Sequence, residues 1–262
     1  MEHKELNLLN QALGFHNNNN LYGQFVLVED TVDTSAAFVL HQILKHSFSS
    51  HPSSSVIFLA LSHPFSHYDR ILRKIGCNLA AQRDNKRFFF IDMLMLQFPG
   101  EKISATVHIP RSAATLLNAR WIFQALRSRL QIVLIASCHD HYRGVDEGKP
   151  NDVGFAAVFE KIERVIKALP QDNTKFVTIM IDDISFLQVA ANGSSNDVLD
   201  FLHYCYTLTS EYGCAFVALD HKDIYMNEEK PAIISEMEYL ADVLVKAEPL
   251  ATGLAKDVHG QV

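Results

Sequence analysis

Polar residues gather at the ends of apolar runs in this chain, and their types set the chemistry open to it. Glu29 and Asp30, Ser62 and His63, Asp92, Asp182 and Asp183, and Asp220 and His221 each close such a run. In open α/β sheets, ligands collect at the carboxyl ends of strands. Carboxylates there can hold magnesium beside a nucleotide, and Asp182 stands where that acidic residue would be. Carboxylates at strand ends also cap helices and solvate loops, so no single position decides the matter. Cys138-His139-Asp140-His141 contains a C-x-x-H pair, but a structural zinc takes four ligands and no second pair lies nearby. His63 and His67 are four apart with Pro64 between them, which suits loop and first-turn packing better than a metal pair. No G-x-S-x-G elbow supports a serine hydrolase, and no G-x-G-x-x-G follows a strand.

The turn after the first strand is the most informative part of this pattern. Gln24 to Val28 reads as a buried strand and Ser35 to Phe48 as the helix after it. A phosphate-binding loop would place G-x-x-x-x-G-K-[ST] between them, with backbone amides and a lysine around the phosphates. The chain instead has Glu29-Asp30-Thr31-Val32-Asp33-Thr34-Ser35, without glycine or lysine. A helix start carries a partial positive charge that favours anions. Asp30 and Asp33 are expected to occupy that field themselves, one of them as the cap, with Glu29 and Ser35 completing a degenerate phosphate turn. Nucleotide hydrolysis in the usual manner is not expected here.

The elements that must position these residues alternate regularly. Leu6, Leu8, Leu9 and Leu13 predict a short leading helix, ended by Gly14 and the run Asn17 to Asn20. Strands are expected at Ser55–Leu61, Arg87–Asp92, Lys175–Ile181, Cys214–Leu219 and Leu240–Ala247. Helices are expected at Ser66–Ile75, Phe155–Leu169 and Asp197–Glu211. Ser66-His67-Tyr68-Asp69 resembles a capping box, and Asn192-Gly193-Ser194-Ser195 a capped turn. Between Met93 and Asn151 the pattern is weaker, with a helix over Arg111–Leu130, a strand over Gln131–Ala136 and a loop over Cys138–Asn151. Lys222 to Pro231 reads as a polar loop. Strands apolar on both faces and separated by helices indicate a mainly parallel, doubly wound sheet with helices on both sides. The expected division is a helix and polar turn over 1–20 followed by one α/β domain over 21–262.

Composition narrows the function classes. The chain has 262 residues, 48% hydrophobic and 20% charged, with a net charge of -7. Mainly disordered and fibrous classes are excluded, and the basic footprint of a protein that grips nucleic acid alone is missing. Cys77, Cys138, Cys205 and Cys214 lack C-x-x-C spacing, which fits reduced thiols. No apolar stretch nears the roughly 20 residues needed to cross a bilayer, and Met1-Glu2-His3-Lys4-Glu5 is unlike a signal peptide. A soluble intracellular protein is expected.

Several stretches together resemble the Elongator complex protein 6 family, whose fold is RecA-like. They are Val28 to Ser35, Val56 to Tyr68 with the helix Asp69 to Gly76, Asp182-Asp183-Ile184, Ala241-Asp242-Val243, Pro249 to Gly253 and Asp257 to Gly260. The resemblance runs over about Leu21 to Val262 and is weakest over 94–151. It implies a RecA-like core lacking a P-loop, in a ring with the fourth and fifth Elongator proteins, two copies of each. It implies a ring that binds transfer RNA and supports wobble-uridine modification, in cytoplasm and nucleus, with catalysis on another subunit of the Elongator core. No catalytic residue, cofactor or metal transfers to this chain. RNA contacts, if made here, would come from Arg143 and Lys149 in one loop and Lys222, Tyr225 and Lys230 in another, through phosphate pairing and base stacking. The competing expectations are an ATPase or recombination-mediator relative with an unorthodox site, and a metal hydrolase built on Cys138, His139 and His141.

Overall fold

The computed structural model describes residues 8–13, 15, 21–31, 33–94, 155–191, 194–225 and 232–250. Within them six strands form one sheet: β1 (Phe25–Asp30), β2 (Ser55–Ala60), β3 (Phe88–Asp92), β4 (Val177–Ile181), β5 (Ala215–His221) and β6 (Val243–Lys246). Their order is β3-β2-β4-β5-β1-β6, and every pairing is parallel. The helices are α1 (Leu8–Ala12), α2 (Ala37–Ser50), α3 (Phe65–Lys74), α4 (Leu79–Asp84), α5 (Phe155–Lys167), α6 (Ile184–Ala190), α7 (Ser195–Tyr212) and α8 (Ala232–Leu240). This is the doubly wound α/β arrangement that the alternation of apolar runs and amphipathic helices led us to expect, and it is consistent with the RecA-like fold that the resemblance implies.

Alternation along each strand divides the core between two faces. Val26 and Val28 of β1, Val56, Phe58 and Ala60 of β2, and Val217 and Leu219 of β5 point to the face covered by α2, α3 and α4. There they meet Val39, Ile43 and Leu44 of α2, Leu72 of α3 and Leu79 of α4. On the opposite face α6 and α7 pack on β5, and α5 packs on α7, where Phe155 and Phe201 stack at 4.9 Å. Strands β1, β2 and β4 are buried along their whole length, which is why their sequences read as unbroken apolar runs.

Several boundaries differ from the sequence expectation, each for a local reason. Strand β1 runs on to Asp30 because Glu29 and Asp30 keep their register with Asp220 and His221. Helix α2 begins at Ala37, not Ser35, since Thr31 and Thr34 pair with each other just before it. The capping box at Ser66 does not form: Pro64 is the N-cap of α3, no side chain caps it, and Asp69 instead receives Ala80 N–H and Arg73 Nε. A 3-10 helix over Gln171–Phe176 delays β4 to Val177, and α8 extends to Leu240, so β6 starts only at Val243. At α7 the polar turn does what its residues suggest, with Ser194 Oγ accepting from Asp197 N–H and Gly213 ending the helix at φ 69. Cys77, Cys205 and Cys214 are buried free thiols. The helix, strand and loop expected over 111–151, including Cys138, His139 and His141, lie outside the described residues, as does the asparagine run.

Candidate functional site

The parallel register gathers the strand-end residues of the sequence pattern. Strand β5 lies between β4 and β1, so Glu29 faces Asp220 and Asp30 faces His221 across one ladder. Asp182 and Asp183 follow β4 directly on the other side. Glu29, Asp183 and Asp220 are wholly inaccessible to solvent, and Asp30 and Asp182 nearly so. Five buried carboxylates within one sheet edge need compensation, because an unpaired buried charge is strongly unfavourable.

The turn that would hold phosphate is folded onto itself. Thr34 N–H donates to Thr31 O at 3.0 Å, and the two residues form an antiparallel bridge. Asp30 Oδ2 accepts Ala36 N–H at 2.7 Å, so a carboxylate already takes an amide at the α2 start. Asp33 and Ser35 are exposed, with Ser35 Oγ accepting the Ala37 N–H at 3.3 Å. The field that favours an incoming anion is thus met from inside the protein.

His221 supplies the positive charge of this edge. Its Nδ1 bonds Asp30 Oδ1, and its Nε2 lies 3.2 Å from Asp183 Oδ2. Burial by itself would lower the imidazole pKa, but hydrogen bonds and charge from Asp183 and Asp30 outweigh it and push the value up to about 11. The group is therefore an imidazolium at neutral pH, with both N–H groups donating. Asp183 also accepts from Ser185 Oγ, from Phe186 N–H at 3.4 Å as the cap of α6, and from Ser62 Oγ at 3.2 Å. This arrangement cannot work as a serine hydrolase triad. The Ser62 hydroxyl goes to Asp183 and not to the imidazole, and a doubly donating imidazolium has no lone pair to act as base.

A second ion-pair set lies one residue earlier on β1. Glu29 Oε2 is 2.6 Å from Lys222 Nζ and 3.2 Å from Lys246 Nζ, and Lys246 also reaches Glu238 Oε1 at 3.0 Å. Lys222, expected as an RNA contact, is thus engaged with a buried carboxylate. Tyr225 ends a 3-10 helix over Lys222–Tyr225, and Lys230, Arg143 and Lys149 lie outside the described residues.

Asp182 occupies the position of the acidic metal residue, yet its oxygens are already taken. Oδ1 accepts Leu61 N–H at 2.7 Å, Oδ2 accepts Ser62 N–H at 3.1 Å, and the Tyr68 hydroxyl also donates to Oδ2. Burial raises its pKa to about 7 against the lowering effect of these donors. Among the described residues no group of three or more His, Cys, Asp or Glu side chains could hold a metal ion. Tyr68 and the bridging role of His221 escaped the sequence reading. The Asp-His pair at the end of an apolar run was the one signal available for His221.

The comparisons with known proteins agree among themselves. A family model described as Elongation complex protein 6 matches residues 6–105 and 112–262. Elongator complex protein 6 of Xenopus laevis is 28% identical over 260 residues, covering 97% of this chain and 83% of its own length. The human protein of that name is 25% identical over 244 residues, covering 92% and 78%, and the Dictyostelium discoideum one is 22% identical over 283 residues, covering 92% and 81%.

Proposed function

Since the chain belongs to the Elongation complex protein 6 family, we propose that it is a non-catalytic subunit of the Elongator complex. In this reading it joins two RecA-like paralogues, the fourth and fifth Elongator proteins, in a heterohexameric ring that binds transfer RNA and supports wobble-uridine modification by the catalytic core. Its working locations are cytoplasm and nucleus. The observation that carries the non-catalytic role is the His221 imidazolium between Asp30 and Asp183, at the edge where a nucleotide and its metal would sit. Phosphate would meet buried carboxylates and a turn closed on itself. The doubly wound sheet remains as a rigid body for assembly. Arg143, Lys149, Tyr225 and Lys230 are the RNA contacts of this proposal, while Lys222 serves first to neutralise Glu29.

Two measurements test the reading separately. Co-expression with the two paralogues, followed by native mass measurement, should return an assembly with two copies of each chain. A monomer that ignores both partners would defeat the assembly claim. The purified chain should show no saturable ATP binding at micromolar concentration with or without magnesium. Saturable binding would favour the ATPase alternative.

A further inference from the structure

The same sheet edge holds a second group of titratable side chains that the closed turn does not use. His41 from α2, His63 from the turn after β2, and His67 from α3 meet around Tyr68. The His63 and His67 rings stack at 4.0 Å and 20°, and the Tyr68 ring lies 5.3 Å from His67, 6.0 Å from His41 and 6.1 Å from His63. The turn that carries His63 also gives the Leu61 and Ser62 amides to Asp182, and Tyr68 gives Asp182 its hydroxyl. Histidines and aspartate are therefore tied through one turn and one tyrosine.

Charge on this cluster is opposed from most sides. Two rings stacked at 4.0 Å repel strongly once both are protonated, and burial disfavours even the first proton. Burial, then His67 and His63, lower the His41 pKa to about 4. Burial, then His67, lower that of His63 to about 4 against the attraction of Asp183. His67 is lowered by burial and by the Arg70 cation beside it. From the end of β4 the cluster faces Asp182, which is bonded to Tyr68, and Asp183, which is bonded to His221 and Ser62. Asp183, which attracts the His63 charge, is thus shared with an existing cation.

We propose that His41, His63 and His67 form an acid-sensitive latch, which holds the turn at 61–64 and the first turn of α3 in place while neutral and releases them on protonation. This device does not depend on the ring reading above. Hydrogen exchange of the full chain, compared at about pH 7.5 and about pH 5 after correction for intrinsic rates, tests it. Protection over 61–68 should fall by about tenfold or more at the lower pH, the equivalent of one unit of pKa, while β1 and β5 keep theirs. The doubly neutral variant H63Q/H67Q should lose most of the response, keeping only the part carried by His41. Equal protection of 61–68 at both pH values, or a full response in the variant, would overturn the proposal. Should the variant fail to fold, imidazole titration of the unaltered chain by NMR decides. Rings still neutral near pH 5 support the latch, and rings titrating near 6.5 overturn it.

Discussion

His221 and the His41–His63–His67 cluster lie on one sheet edge, and burial acts on both in the same direction. It lowers the proton affinity of all four imidazoles, yet His221 ends near 11 and both His41 and His63 near 4. The difference comes from their neighbours. His221 touches two carboxylates, one on each nitrogen, whereas the three others face one another, a tyrosine and an arginine, with Asp183 attracting only the His63 charge and already bonded to His221. Burial sets how strongly a histidine responds to its partners, and the sign of the partners decides the charge it carries.

The largest effect should come from breaking the charged side of this comparison. His221→Leu leaves Asp30 and Asp183 buried without their cation and should destabilise the fold by about 3–5 kcal/mol in urea unfolding. Asp30→Asn in that background should recover part of the loss by removing one of the stranded charges. An unfolding midpoint equal to that of the parent chain would show that the imidazolium is not the edge's counterion.

On the neutral side, Tyr68→Phe removes the hydroxyl from the buried Asp182 and should cost about 1–3 kcal/mol. It should also move the titration of Asp182 further upward, which carboxyl NMR would detect.

Stability against pH separates the two regions by direction. His221 has a raised folded pKa, so its contribution is complete below about 6.5 and disappears as pH rises through about 11. His41 and His63 have lowered folded pKa values, so theirs is complete above about 6.5 and disappears as pH falls towards about 4. Asp182 opposes them, because its raised value favours the fold most at low pH and the gain is lost through about 7. The alkaline loss should be missing from H221L, and the acid loss should be reduced in H63Q/H67Q. Identical pH profiles in all three proteins would remove the distinction.

The smallest effect is expected away from both regions. Arg73 pairs with Asp69 one helical turn apart with its side chain 56% exposed, so Arg73→Ala should change stability by no more than about 0.5 kcal/mol.

Much of the fold was legible because β1, β2, β4 and β5 are buried on both faces, and no charged residue interrupts their apolar runs before the last positions. The segment between β1 and α2 is glycine-free and lysine-free, and that much is read directly from its residues. What the sequence did not disclose was tertiary pairing. Asp30, Asp183 and His221 are far apart in the chain and meet only because β5 inserts between β4 and β1. Asp33 and Asp30 look equivalent as helix-start anions, and only the closed turn at Thr31–Thr34 shows that one reaches an amide and the other faces solvent. Lys222 looked like a free loop cation because nothing local reveals the buried carboxylate of Glu29 beside it.

The bridge between Thr31 and Thr34 also bears on reversibility. Grafting a glycine-rich, lysine-bearing loop onto residues 29–35 would not by itself create a phosphate cradle. The graft would delete Asp30 and so strand the His221 cation beside Asp183, and would delete Glu29 and so take a carboxylate from Lys222 and from Lys246, leaving Lys246 with Glu238. A working graft has to alter β1, β5 and the cap of α6 together. The closed turn behaves as a ratchet, held in place by contacts spread over β1, β5 and the cap of α6.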